Sequence, residues 1–129
     1  MPSHRFSLLP DAYAVVRLGS SDSLPNWAVE PHEGLFSVTR TPEELSIVSP
    51  EARVPSSTQA ERGWRVIKLQ GPFPFEQVGV LASFASPLAE HGVSIFALST
   101  FDTDYILIKH AQLEQGLRAL QEAGHAYVA

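Results

Sequence analysis

Cysteine is absent from the 129 residues, which excludes disulfides, thiolate metal sites and a cysteine nucleophile and is compatible with a reducing compartment. Basic residues are sparse. Nine Lys and Arg stand against fourteen Asp and Glu, they are scattered, and the formal net charge of -5 opposes binding to a phosphate backbone or an anionic membrane. Long apolar runs are lacking too: Pro10 and Asp11 break the first one, so neither a signal peptide nor a membrane span is expected and the cytoplasm is the default location. No Gly-x-Ser-x-Gly elbow, Walker loop or dinucleotide fingerprint occurs. The five histidines, His4, His32, His91, His110 and His125, show no i, i+4 spacing within one helix. The expectation is a protein with no metal, no cofactor and no catalytic residues. What is present is apolar enough for a core, at 44% hydrophobic and 18% charged residues, in a length that suits one domain or two small ones.

The chain divides at Pro50–Gly63 (PEARVPSSTQAERG), which combines prolines, small polar residues and charges without a period that could bury a face, and is read as a linker. After it, Trp64 to Leu69 (WRVIKL) has the composition of a short strand, stopped by Gly71-Pro72-Phe73-Pro74. From Gln77 to His91 the residues Val78, Leu81, Ala82, Ala85, Leu88 and Ala89 recur at helical spacing, and Gly92 supplies the residue tolerant of positive φ that a helix C-terminus favours. Pro87 inside this segment predicts a kink or early end near Ser86. Val93 to Thr100 and Tyr105 to Lys109 read as a hairpin turning at Phe101-Asp102-Thr103. Leu113, Leu117, Leu120 and Ala123 mark a second helix over Ala111 to Ala123, capped by Gly124, and Ala126-Tyr127-Val128 supplies a last strand.

The order β-α-β-β-α-β belongs to the α+β class and describes a ferredoxin-like sandwich, two helices over one face of a four-stranded antiparallel sheet. The first half repeats the pattern in shortened form. Tyr13 to Leu18 (YAVVRL) parallels WRVIKL, and Ser37 to Val48 (SVTRTPEELSIV) parallels Ala97 to Ile108 (ALSTFDTDYILI) as strand, turn and strand. Sixteen residues between Leu18 and Leu35 leave no room for a full helix with both connections, so three strands and a turn or short helix around Pro25-Asn26-Trp27 are expected.

Several stretches resemble the ACT domain family, in the branch of the CASTOR-type amino-acid sensors and of small bacterial proteins of unassigned role. They are Gly71-Pro72-Phe73-Pro74-Phe75, Val78-Gly79-Val80-Leu81-Ala82, the run from Pro87 to Phe96 (PLAEHGVSIF) and Ser99-Thr100-Phe101-Asp102-Thr103-Asp104-Tyr105-Ile106-Leu107. Residues 36–48 resemble the degenerate first unit of the same group. The resemblance implies a truncated ACT-like unit over residues 1–50, a linker over 51–63 and an ACT domain over 64–129. It further implies a non-enzymatic regulatory protein that binds an amino acid or related small molecule at an interface between ACT units. The regulated partner is not indicated, and no catalytic domain is attached in this sequence.

The candidate site has two poles. At one, the turn GPFPF leads into the first helix, whose opening amides near Gln77, Val78 and Gly79 lack intrahelical acceptors and can hold a carboxylate; the alternative is that Gly71 and the prolines only shape a tight connection. At the other, Glu76, Asp102 and Asp104 offer negative charge to an ammonium or guanidinium, with hydroxyls from Ser99, Thr100 and Thr103 beside them. The alternative there is an ordinary turn with a solvated strand end. The candidate ligand-binding set is Gly71, Phe73, Glu76, Val78, Gly79, Ser99, Thr100, Asp102 and Asp104. Two further readings stand beside a sensor: an ACT-like interaction domain that has lost its ligand and, more weakly, an enzyme pairing Asp104 with a histidine. A homodimer is expected, because a sheet covered on one face leaves edges and apolar surface to hide.

Overall fold

The apolar periods of the second half become two helices, and the short β-branched runs become strands, in a computed structural model that describes residues 3–73 and 79–128. The chain forms two units. One contains the residues up to Pro10 together with those from Arg65 onward, and the other runs from Asp11 to Trp64. Residues 1–10 therefore group with the C-terminal half, unlike the boundary read from the sequence.

In the larger unit, strand β1 (Arg5–Leu8) pairs antiparallel with the second part of β5 (Ala60–Leu69), Phe6 opposite Leu69 and Leu8 opposite Ile67. Strands β6 (Ile95–Ser99) and β7 (Asp104–Lys109) form the expected hairpin, and β7 also pairs with β5. Strand β8 (Ala126–Tyr127) runs parallel to β1. The order is β6-β7-β5-β1-β8. The expected four-stranded antiparallel sheet is thus corrected to five strands, with the N-terminal strand inserted between the first and last strands of the ferredoxin-like set. Four residues carry too little period to announce a strand; β1 is held by partners about sixty and 120 residues away.

Helices α2 (Val80–Glu90) and α3 (Leu113–Glu122) bury their apolar stripes on one face of this sheet. Val80, Phe84 and Leu88 from α2 and Ala119 and Leu120 from α3 meet Phe6, Ile67, Leu69, Ile106 and Ile108. Gly116 permits the close approach, since a Cβ there would stand 3.0 Å from Ile108 Cδ1 and 3.4 Å from Leu88 Cδ2. Both helices end on glycines of positive φ, Gly92 at 72° and Gly124 at 99°, and the amides of Val93 and His125 close back onto the carbonyls of Leu88 and Leu120.

The helix does not stop at Ser86: α2 runs through Pro87 to Glu90. Proline has no amide for the carbonyl of Ser83, four residues earlier. That carbonyl accepts instead from Nε2 of His125 at 2.8 Å, while Nδ1 of the same ring accepts from the His4 amide at 3.1 Å. These two bonds require the neutral ring with its proton on Nε2. The imidazole is buried and stacked on Phe84, with ring centroids 3.9 Å apart.

The smaller unit is an antiparallel sheet in the order β3-β4-β2-β5, made of β3 (Ser37–Arg40), β4 (Leu45–Pro50), β2 (Tyr13–Leu18) and the first part of β5. As expected, no long helix separates Leu18 from Leu35; the single turn α1 (Asn26–Val29) stands there, its Ala28 and Trp27 packed with Ala14, Val16, Leu45 and Ile47. The stretch read as a linker is structured at both ends. Glu51–Arg53 form a 3-10 turn, and Ala60 and Glu61 already pair with Val16 and Val15. Gly63, at φ 79°, donates its amide to Glu51 Oε1 at 2.8 Å, so a backbone shape open to glycine allows the strand to continue through a stretch that reads as loop.

Candidate ligand pocket

The start of α2 and the β6–β7 hairpin face one another across a pocket of about 310 Å3. One wall is Gly79, Val80, Leu81 and Ala82, and the other is the hairpin from Ser99 to Asp104, with Phe73 between them. All of these residues belong to the larger unit.

Gly79 is the N-cap of α2, at φ 83° and ψ 0°, a left-handed shape that glycine takes without strain. No side chain caps this helix start, and a Cβ on Gly79 would meet nothing within 4 Å. The helix begins later than the sequence pattern indicates. The amides of Val80, Leu81 and Ala82 open the helix and, with that of the N-cap Gly79, lack intrahelical acceptors, whereas the amide of Ser83 already bonds the Gly79 carbonyl at 2.9 Å. Three amides at the positive end of an eleven-residue helix favour an anion.

On the opposite wall the hairpin closes through Thr100 N–H to the Thr103 carbonyl at 2.8 Å, with Ser99 paired opposite Asp104. The Ser99 hydroxyl donates to Asp104 Oδ1, which orients that carboxylate. Asp102 is exposed, Asp104 half-buried, and Phe101 stands at the rim with 78% of its surface exposed. The pocket therefore combines an electropositive helix end with two carboxylates.

Of the residues singled out from the sequence, Phe73, Gly79, Ser99, Thr100, Asp102 and Asp104 line this pocket. Gly71 does not, but lies behind it, where a Cβ would come within 2.8 Å of the Asp102 carbonyl. Glu76 and Val78 lie outside the described residues. Sequence reasoning missed Val80, Leu81, Ala82 and Phe101 as lining residues. The positive φ of Gly79 is the signal that moves the helix start, and it is not visible in the residue name alone. Among the described residues no group of three or more His, Asp or Glu could hold a metal ion. No helix among them is long and apolar enough to cross a membrane.

A crystal structure of a protein from Agrobacterium tumefaciens matches 99% of this chain and 94% of its own at 38% identity, with a TM-score of 0.91. The ACT domain model matches residues 59–122. The chain belongs to the ACT domain family. A second family model, of an N-terminal domain, matches residues 11–57, which fall within the smaller unit. The bovine cytosolic arginine sensor for mTORC1 subunit 1 is 34% identical over 96 residues, covering 66% of this chain and 29% of that protein. The ACT chain thus spans less than a third of the length of that curated relative. The regulatory subunit of aspartate kinase from Thermus flavus shares the fold at a TM-score of 0.63 and 14% identity, over 92% of this chain and 95% of its own.

Proposed function

We propose that this ACT-domain protein is a non-enzymatic sensor that binds an amino acid in the pocket between the start of α2 and the β6–β7 hairpin. The observation that carries this reading is the juxtaposition of the amides of Val80, Leu81 and Ala82 with Asp102 and Asp104 around one pocket of about 310 Å3. An amino acid has the two matching poles. Its carboxylate suits the helix start, and its ammonium, or a guanidinium on its side chain, suits the carboxylates. The bovine relative is an arginine sensor, which makes arginine the first ligand to try. That relative is cytosolic, which supports the cytoplasm as the compartment. The ligand sits where an ACT unit of a second copy covers the pocket, a homodimeric arrangement supported by the exposed aromatic ring of Phe101 at the rim.

The second reading is an ACT-like interaction domain without a ligand. It draws on Asp104, whose carboxylate already has an internal donor in Ser99.

A thermal-shift screen of the twenty standard amino acids separates the two. At about a hundred times its dissociation constant a specific ligand adds about 2.7 kcal/mol to the folded state, a shift of several degrees. No shift with any of the twenty overturns the sensor reading.

A further inference from the structure

We infer that Thr103 is a positioning residue for this pocket: its buried hydroxyl fastens the hairpin wall that carries Asp102 and Asp104 to the end of β5. The inference rests on the sensor reading for its effect on binding, and on geometry alone for its effect on the hairpin wall.

Thr103 is the one residue of the Thr100–Thr103 turn that is buried, with 6% of its surface exposed, next to Phe101 and Asp102, which are open to solvent. Although it lines the pocket, its hydroxyl is committed elsewhere: Oγ1 donates to the carbonyl of Leu69 at 2.7 Å. Leu69 is the last residue of β5, two before Gly71. A second bond lies beside the first, from the Phe73 amide to the Asp102 carbonyl at 3.0 Å. Gly71 fits under both. A Cβ on it would stand 2.8 Å from the Asp102 carbonyl and 3.2 Å from Thr103 Cβ, so glycine is what lets the turn seat on the loop. Within the turn, the Thr103 carbonyl takes the Thr100 amide, so the backbone that presents Asp102 is tied on either side of Thr103.

This arrangement has a consequence for a two-pole site. A ligand that spans a helix start and a pair of carboxylates depends on the separation of the two walls, and orientation losses of an ångström are costly. The Thr103 hydroxyl and the Phe73 amide hold the hairpin wall against the end of β5 and against Phe73, itself a lining residue, before any ligand arrives. A hydroxyl at this position is required, and the γ-methyl is not.

The test uses the full chain with Thr103→Val, which keeps the shape and removes the donor, and Thr103→Ser, which keeps the donor. Two quantities are read. The first is hydrogen exchange at the Phe73 amide without ligand, expected about tenfold faster in the valine variant and near wild type in the serine variant, the size of one lost hydrogen bond. The second is affinity for L-arginine, or for whichever of the twenty amino acids shifts the wild type, expected to fall about tenfold in the valine variant and to recover within about threefold in the serine variant. Thr103→Ala replaces valine should valine prevent folding. Unchanged exchange at Phe73, or valine and serine variants that bind alike, overturns the inference. A wild type that binds none of the twenty defeats the sensor reading instead, and the exchange comparison still decides whether Thr103 holds the hairpin wall in place.

Discussion

Replacing His125 by Phe tests how α2 tolerates a proline three residues before its end. The ring would remain, able to stack on Phe84 as the imidazole does at 3.9 Å, but both hydrogen bonds would go. The Ser83 carbonyl suffers most, because Pro87 cannot supply the amide that a helix normally places four residues on. Leaving such a buried group without a donor costs about 1–3 kcal/mol. The His4 amide is half-buried and can find water, so its loss adds about 0.5–1.5 kcal/mol. The expected total for His125→Phe is about 1.5–4.5 kcal/mol, read as a lower urea midpoint at unchanged slope. A second substitution isolates the cause. Pro87→Ala restores an amide opposite the Ser83 carbonyl, so in the His125→Phe background it should recover about 1 kcal/mol more than it does in the wild type. The reasoning fails if His125→Phe lies within about 0.5 kcal/mol of wild type, or if the two substitutions add to within about 0.5 kcal/mol, the agreement expected of independent sites.

Asp104→Ala should abolish the thermal shift by the amino-acid ligand and leave the unliganded melting temperature nearly unchanged, since a half-exposed strand-end carboxylate contributes within about 0.5 kcal/mol; an equal shift in the variant moves the site away from Asp104. Gly116→Val drives methyl groups into Ile108 and Leu88, already 3.0 and 3.4 Å from where a Cβ would stand, and should cost about 1–3 kcal/mol in urea unfolding; a neutral result would show that α3 can shift away from the sheet. Light scattering at micromolar concentration should return twice the 14.1 kDa mass of one chain, and a monomer mass removes the homodimer.

Local sequence determined most of the elements. The apolar spacing of Leu81, Leu88, Leu117 and Leu120 names the two helices, Gly92 and Gly124 mark their ends, and YAVVRL, SVTR and YILIK read as strands because each of these signals acts within one or two turns of chain. Six of the nine candidate residues read from the sequence line one pocket, since the GPF loop and the STFDTD turn are local motifs that the β-α-β-β order brings to the same end of the sheet. Tertiary structure decided the rest. Strand β1 exists because β5 and β8 lie on either side of it, and nothing within Arg5–Leu8 could announce partners so distant in sequence. The entry of β5 into the apparent linker depends on Gly63 and Glu51 meeting, and the passage of α2 through Pro87 depends on His125 reaching the Ser83 carbonyl. In each of these cases a local preference for loop or helix end was overridden by a hydrogen bond from far along the chain, because a buried polar group unpaired costs more than the local propensity it opposes.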